Sequence, residues 1–367
     1  MSIRIVNIVG TRPNMMKIAP IMEEMAKNEA FQPVLVHTGQ HYDENMSEIF
    51  FRQLGIPEPD YNLGVGSGSH TYQTAHVMLA LEPLLEELKP DCVLVVGDVN
   101  STLAGALVAA KMLIPVAHVE AGLRSFDRTM PEEINRTLTD HISDFLFTTE
   151  ESGNENLLRE GVPQEKIFLV GDVMIDTLLR HRDKARALNA LERFGLKPGG
   201  YALLTLHRPS NVDEGDVLSG IVDALVQVQE MLPVVFPVHP RTRKRLEEFG
   251  LWPKLSGLPR MVLTEPLGYL EFLGLMQDAR VVLTDSGGIQ EETTILKVPC
   301  LTLRYNTERP ATISQGTNKL VGNRSEDIVR AVREVLEGEV RTGTLPKFWD
   351  GKAAERIVRI LRERLTT

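Results

Sequence analysis

Four clusters of residues in this chain have types and spacings suited to chemistry. The first is Gly10-Thr11-Arg12-Pro13-Asn14-Met15-Met16-Lys17, placed directly after an apolar run at residues 3–9. Gly10 permits a tight turn, a helix starting there offers free N–H groups to an anion, and Arg12 and Lys17 add charge suited to a phosphate. Solvated cations at a helix start would look the same; the position after a first strand favours a ligand. The second is Thr284-Asp285-Ser286-Gly287-Gly288-Ile289-Gln290-Glu291-Glu292, again apolar run, glycine turn, then helix. Paired glycines let backbone approach a diphosphate and Ser286 can donate to it, whereas Glu291 and Glu292 suit sugar hydroxyls. A capping role explains Ser286 but not both glycines.

The third cluster is acidic. Asp98 follows Val95-Val96-Gly97 and Glu120 follows His118-Val119, each at the end of an apolar run, while Glu132 and Glu133 follow Pro131. Acids after Pro at a helix start are an ordinary N-terminal signature, so Glu132 and Glu133 alone are explained by helix formation. Carboxylates converging on one cleft would supply a general acid and base. The fourth cluster is His207 in Leu206-His207-Arg208-Pro209 and His239 in Val238-His239-Pro240, two histidines at the ends of successive apolar runs. Such a histidine can act as acid, base or donor to a phosphate.

Other chemistries find little support. His37 and His41 are separated by Thr38-Gly39-Gln40, a strand exit and not a helix, so no metal-binding face forms. There is no Gly-x-Gly-x-x-Gly dinucleotide fingerprint, no Gly-x-Ser-x-Gly elbow and no Cys-x-x-Cys. Cys92 and Cys300 lie in apolar runs and read as buried thiols, which fits a reducing cytoplasm.

These clusters need elements to hold them. Apolar strand-like runs occur at residues 3–9, 33–37, 92–96, 116–119, 145–148 and 167–170, and a second series at 201–206, 234–238, 261–263, 281–284 and 300–303. Amphipathic stretches at 73–88, 103–112, 217–231 and 327–336 fall between them, with another at 182–197 and a last at 351–365. Strands alternating with such helices predict an α/β chain with two doubly wound parallel sheets. The 367 residues suit two domains. The first series ends near residues 171–177, which sets the expected domains at 1–173 plus 351–367 and at 174–350. Ligands of such folds bind outside the carboxyl ends of the strands, where all four clusters lie. Forty Lys and Arg against fifty Asp and Glu, a net charge of −10, is the wrong balance for reading nucleic acid through its phosphates. No apolar run reaches about 18 residues and no secretory leader is expected.

Taken together and in order, the motifs resemble those of the non-hydrolysing UDP-N-acetylglucosamine 2-epimerases. The resemblance spans nearly the whole chain and rests on Gly10-Thr11-Arg12-Pro13, Thr38-Gly39-Gln40-His41, Gly97-Asp98, His118-Val119-Glu120-Ala121-Gly122-Leu123-Arg124 and Pro131-Glu132-Glu133-x-Asn135-Arg136. It continues through His207-Arg208, the stretch from Asp285 to Glu292, and Thr307-Glu308-Arg309-Pro310. It implies two Rossmann-like domains of glycosyltransferase-B type with the active site in the interdomain cleft and the last helix crossing back to the first domain. It implies interconversion of UDP-GlcNAc and UDP-ManNAc by elimination of UDP and re-addition, with no cofactor and no metal. By similarity Asp98, Glu120, Glu132 and His207 are catalytic. Arg12, Lys17, His239, Ser286, Gly287, Gly288, Glu292 and Arg309 bind substrate, and Gln40 and His41 are regulatory candidates. A homodimer with no membrane or nucleic-acid partner, and a role in cell-surface polysaccharide precursors, are implied in the same way. Ser210 stands where an acid is usual in the family, and Ala311 where a Glu is usual, which leaves room for another UDP-2-acetamido sugar such as a UDP-2,3-diacetamido sugar. The nearest rivals are a UDP-sugar glycosyltransferase of the same fold, a hydrolysing epimerase and a silent nucleotide-sugar binder.

Overall fold

The computed structural model describes residues 2–40, 55, 57–339 and 343–366. It divides into two compact units, Met1–Leu179 with Lys347–Thr367, and Arg180–Pro346.

The first unit is built on strands β1 (Ile3–Val9), β2 (Phe31–His37), β3 (Tyr61–Asn62), β4 (Cys92–Val96), β5 (Val116–Ala121), β6 (Phe145–Thr148) and β7 (Ile167–Leu169). They form one sheet in the order β3-β2-β1-β4-β5-β6-β7, every neighbouring pair parallel. All of β4 is buried, as a strand covered on both faces must be. Helices Arg12–Ala26, His70–Leu88, Asn100–Lys111 and Pro131–Ile142 supply the cover. Ser69 starts the second of these by accepting the Tyr72 N–H at 3.2 Å, and Leu81 and Leu85 press its inner face onto Val93 and Val95. The last helix, Ala353–Leu365, packs on Arg12–Ala26. Asp176 caps it, accepting from Ala353 N at 3.1 Å and Ala354 N at 2.8 Å.

The second unit holds β8 (Ala202–Thr205), β9 (Val234–Pro237), β10 (Met261–Thr264), β11 (Val281–Thr284), β12 (Cys300–Thr302) and β13 (Asn318–Leu320) in the order β10-β9-β8-β11-β12-β13, also parallel throughout. Its core joins the strands to helices Gly215–Met231 and Ser325–Leu336. The helix expected over residues 182–197 is instead two pieces, Val173–Ala187 and Ala190–Arg193. Asn189 separates them with φ +49°, a left-handed conformation that asparagine tolerates better than most residues.

In each sheet the strand order reverses once, between β1 and β4 and between β8 and β11. A crevice opens at the carboxyl ends of the strands at such a point. Among the described residues no helix is long and apolar enough to cross a membrane. Cys92 and Cys300 are buried and unpaired; burial pushes both thiols up, Cys300 to about 11.

Candidate active site

The β1/β4 crevice is organised by Asn14. Its Oδ1 accepts the N–H groups of Gly10 and Thr11, both at 3.2 Å, and the Thr11 hydroxyl at 3.1 Å, while its Nδ2 donates to Val96 O at 3.0 Å. One side chain thus caps the first helix and ties it to the end of β4. Arg12 opens that helix, and its side chain is outside those described. Lys17, one turn further on, turns inward and forms an ion pair with Glu120; both are nearly buried. Gly97 makes room for them: a Cβ there would lie 3.0 Å from Lys17 Nζ and 3.7 Å from Glu120 Oε2, and its φ of +70° also requires glycine.

Asp98 and Glu120 leave their strands through left-handed turns. Gly97 supplies the first; the second falls on Glu120 itself, with φ +73° and a register shift between β5 and β6. A left-handed non-glycine residue costs on the order of 1–3 kcal/mol and persists where the surroundings over-determine it, commonly at functional sites. Asp98 is held from two sides. Arg136 Nη2 reaches its carboxylate at 2.5 Å, and Asn135 Nδ2 donates to its backbone oxygen at 2.9 Å. Glu133 accepts from Ser125 N, Ser125 Oγ and Phe126 N at 2.9 Å each and from Arg136 Nη1 at 2.8 Å, so its carboxylate anchors a loop. Glu132, in contrast, is half-buried and takes no protein partner among the described residues. Gln40 accepts from Ser101 N at 3.1 Å and Ser101 Oγ at 2.6 Å. His41 lies outside the described residues.

The β8/β11 crevice is centred on Asp285, which is fully buried. Its carboxylate accepts from His207 N at 2.9 Å, Arg208 N at 2.8 Å and Asn211 Nδ2 at 3.3 Å, and faces His207 Nδ1 at 3.1 Å. Burial would push the Asp285 carboxyl up; the bonds and charge of His207 with the backbone N–H groups outweigh it and hold the group below the usual carboxylate range. The rings of His207 and His239 have centroids 5.6 Å apart. His239 Nδ1 accepts the Arg241 N–H at 3.2 Å, and burial, with the charge of His207, keeps His239 below the ordinary histidine value.

Helix Gly287–Leu296 begins in the same crevice. Ser286 sits at its N-cap without a side-chain capping bond. A Cβ on Gly287 would meet Arg309 Nη1 at 2.5 Å and Glu308 Oε1 at 2.7 Å, whereas one on Gly288 would meet nothing within 4 Å. Arg309 is buried and bonded to Glu291 and Glu308 at 2.5 Å each. Glu292, also buried, accepts the Tyr269 hydroxyl at 2.9 Å. Both can turn toward a ligand only by exchanging these bonds.

A family model for UDP-N-acetylglucosamine 2-epimerase matches residues 23–362. The chain belongs to this family. It is 49% identical over 359 residues to the UDP-N-acetylglucosamine 2-epimerase of Methanocaldococcus jannaschii, covering 96% of this chain and 97% of the relative. It is 43% identical over 362 residues to the UDP-2,3-diacetamido-2,3-dideoxy-D-glucuronate 2-epimerase of Pseudomonas aeruginosa, covering 98% and 99%. The crystal structure of the M. jannaschii enzyme in complex with UDP-GlcNAc and UDP superposes with a TM-score of 0.91 at 48% identity, covering 98% of this chain and 100% of that one. The two doubly wound units have the glycosyltransferase-B-like fold of these epimerases.

Within this epimerase-family chain, the structure brings Lys17, Asp98 and Glu120 to one crevice and His207, His239, Ser286, Gly287 and Gly288 to the other. Sequence reasoning missed the groups that hold them: Asn14, Arg136, Asp285, and the buried pair His118 and Asp140. A signal was present for His118, a polar residue in the middle of an apolar strand. None marked Asp140, one of several polar residues on its helix.

Proposed function

We propose that this protein inverts C2 of UDP-N-acetylglucosamine, interconverting UDP-GlcNAc and UDP-ManNAc through loss and re-addition of UDP. The observation that supports this most is the β1/β4 crevice, where Asp98 and Glu120 emerge from adjacent strand ends on left-handed turns, each with its own cation. The C2 hydrogen is barely acidic because C1 is not a carbonyl. Elimination therefore needs early C1–O cleavage with oxocarbenium character, as in glycoside hydrolysis. Carboxylates suit that cation and the proton leaving C2, and among them Glu132 has no protein partner among the described residues to give up. Departing UDP is an anion, suited to the N-terminus of Gly287–Leu296, Ser286 and the paired glycines, with Arg309 and Arg12 adding charge. His207, oriented by Asp285, is assigned to the reacting centre or the diphosphate, His239 and Lys17 to substrate, and Glu292 to the ribose hydroxyls. Gln40 and His41 are the regulatory candidates. The product is assigned to cell-surface polysaccharide precursors.

The P. aeruginosa relative favours one second reading, a UDP-2-acetamido sugar substituted further around the ring. A single experiment separates the readings: incubation with the UDP-sugar in D2O, followed by NMR. Deuterium at C2 of both UDP-GlcNAc and UDP-ManNAc is expected without added cofactor. Exchange only with UDP-2,3-diacetamido sugars reassigns the substrate, free ManNAc means hydrolysis, and no exchange with any of them sinks the epimerase.

We also infer a homodimer. Tyr72 and Leu79 on one helix and Ile134 and Leu138 on another are exposed apolar residues at helical spacing, a surface suited to a second copy. Sedimentation as a monomer at micromolar concentration would overturn this. Two buried, unpaired thiols agree with the cytoplasm as compartment.

A further inference from the structure

His118 and Asp140 are both completely buried, yet they touch no position assigned to substrate. His118 lies on β5 and Asp140 in the last turn of helix Pro131–Ile142. The ring Nε2 is 2.8 Å from Gly97 O and Nδ1 is 2.6 Å from Asp140 Oδ1. A backbone carbonyl can only accept a hydrogen bond, so Nε2 bears a proton. Asp140 Oδ2 accepts the Gly122 N–H at 3.0 Å and faces Arg124 Nη1 at 2.7 Å. Burial alone would raise the Asp140 carboxyl, but the charge and bond of His118, then Arg124, hold it below the usual carboxylate range. Nδ1 and Asp140 Oδ1 share the proton between them. Further out, Arg124 binds Glu160 through Nε at 2.8 Å and Nη2 at 2.7 Å, and His141 Nδ1 lies 3.9 Å from Glu160 on the outer side.

The backbone groups this pair binds flank the proposed acids. Gly97 immediately precedes Asp98, and Gly122, with φ +79°, follows Glu120 by two residues. We propose that His118 is a positioning residue, bridged between Gly97 O and Asp140, that holds the turns bearing Asp98 and Glu120 at the separation the reaction needs. This rests on the catalytic reading of those two carboxylates. Nε2 must carry a proton, because a ring protonated only at Nδ1 leaves Gly97 O without a donor.

The test has a spectroscopic and a kinetic arm, both on the full chain. In protein labelled with 15N-histidine, the His118 resonances are assigned by their loss in His118→Gln. A proton on Nε2, held by Gly97 O, is expected; a ring unprotonated at Nε2 overturns the proposal. In the C2 exchange assay, His118→Gln and Asp140→Asn should each lower kcat about a hundredfold, the scale of a displacement of roughly 1 Å at the reacting atoms. KM for the UDP-sugar and Kd for UDP should stay within about threefold, a ratio that a rate effect alone leaves unchanged. Near-normal kcat in a folded variant refutes positioning, as does loss of UDP binding in step with activity. If His118→Gln does not fold, Asp140→Asn alone decides. Wild-type protein that exchanges no C2 hydrogen defeats the catalytic reading and the positioning role together, whereas active wild type with indifferent variants defeats only the latter.

Discussion

His37 shows how a single side chain in this fold ties its protonation to stability. It closes β2, is 3% exposed, and its Nδ1 accepts the Gly39 N–H at 2.9 Å, a bond only an unprotonated nitrogen can make. Burial brings its pKa from 6.5 down to about 4. The unfolded chain therefore binds a proton between those values that the folded chain refuses. The stability this histidine contributes is whole above about pH 6.5 and is lost as pH falls toward 4, with roughly 2 kcal/mol gone by about pH 5. His239 has the same sign and adds to the slope. Urea unfolding of wild type and His37→Gln at pH 7 and 5 checks this. The variant, whose amide oxygen can accept the same N–H, should show a shallower loss; equal slopes would refute it. Asp140 and Asp285 have the same sign of linkage in a lower window: their depressed values add stability that is whole above the ordinary carboxylate range and is lost as pH falls through and below it.

At the scale of elements, the helix Gly287–Leu296 separates two uses of glycine. Gly287 is closed in by Arg309 and Glu308, whereas Gly288 faces open space without positive φ. Alanine at Gly288 should therefore keep or raise stability by about 0.5–1 kcal/mol, as Gly→Ala does inside helices. If that space belongs to the diphosphate, the same methyl should weaken UDP binding by about tenfold or more, the equivalent of roughly 1.4 kcal/mol. Gly287→Ala should lose both stability and binding, because a buried ion-paired network has to shift. Calorimetry for UDP beside thermal melts reads the contrast; a Gly288→Ala variant that binds UDP normally would remove the backbone-approach argument. Both glycines, and the strands that precede the site clusters, were legible in the sequence, because apolar runs such as Cys92–Val96 and Val281–Thr284 end where the polar motifs begin. The edge strands Tyr61–Asn62 and Asn318–Leu320 were not, being too short for a pattern. The supporting polar pairs were invisible for another reason: Asp140 meets His118 across 22 residues, and Asp285 meets His207 across 78, because sheet order makes them neighbours.

For the whole molecule, a net charge of −10 says little about the site, where each of these cations holds one or two acids: Lys17 with Glu120, Arg136 with Asp98 and Glu133, Arg309 with Glu291 and Glu308. The chain's order in space is more consequential. Helix Ala353–Leu365 completes the core of the unit formed by the first half of the sequence. Ile357 and Leu361 are 0% exposed and Val358 6%, on a helix that packs against Arg12–Ala26. Burying three such side chains is worth about 1.5–3 kcal/mol each, so the helix contributes on the order of 5–8 kcal/mol. A domain's whole margin is about 5–15 kcal/mol. A chain ending at Lys352 should therefore lose the first unit as a stable structure, and Asp176→Ala, which removes the cap while leaving the helix, should cost at least about 1 kcal/mol. Hydrogen exchange resolved by peptide distinguishes this from a general destabilisation. Peptides from residues 2–179 should lose protection in the truncated chain while those from 180–346 keep theirs. Because Arg12–Ala26 carries Lys17, the truncated chain should also fail in the C2 exchange assay while its second unit still binds UDP. Equal protection in both sets of peptides, or retained turnover, would mean that the last helix is an ornament on a unit already complete without it.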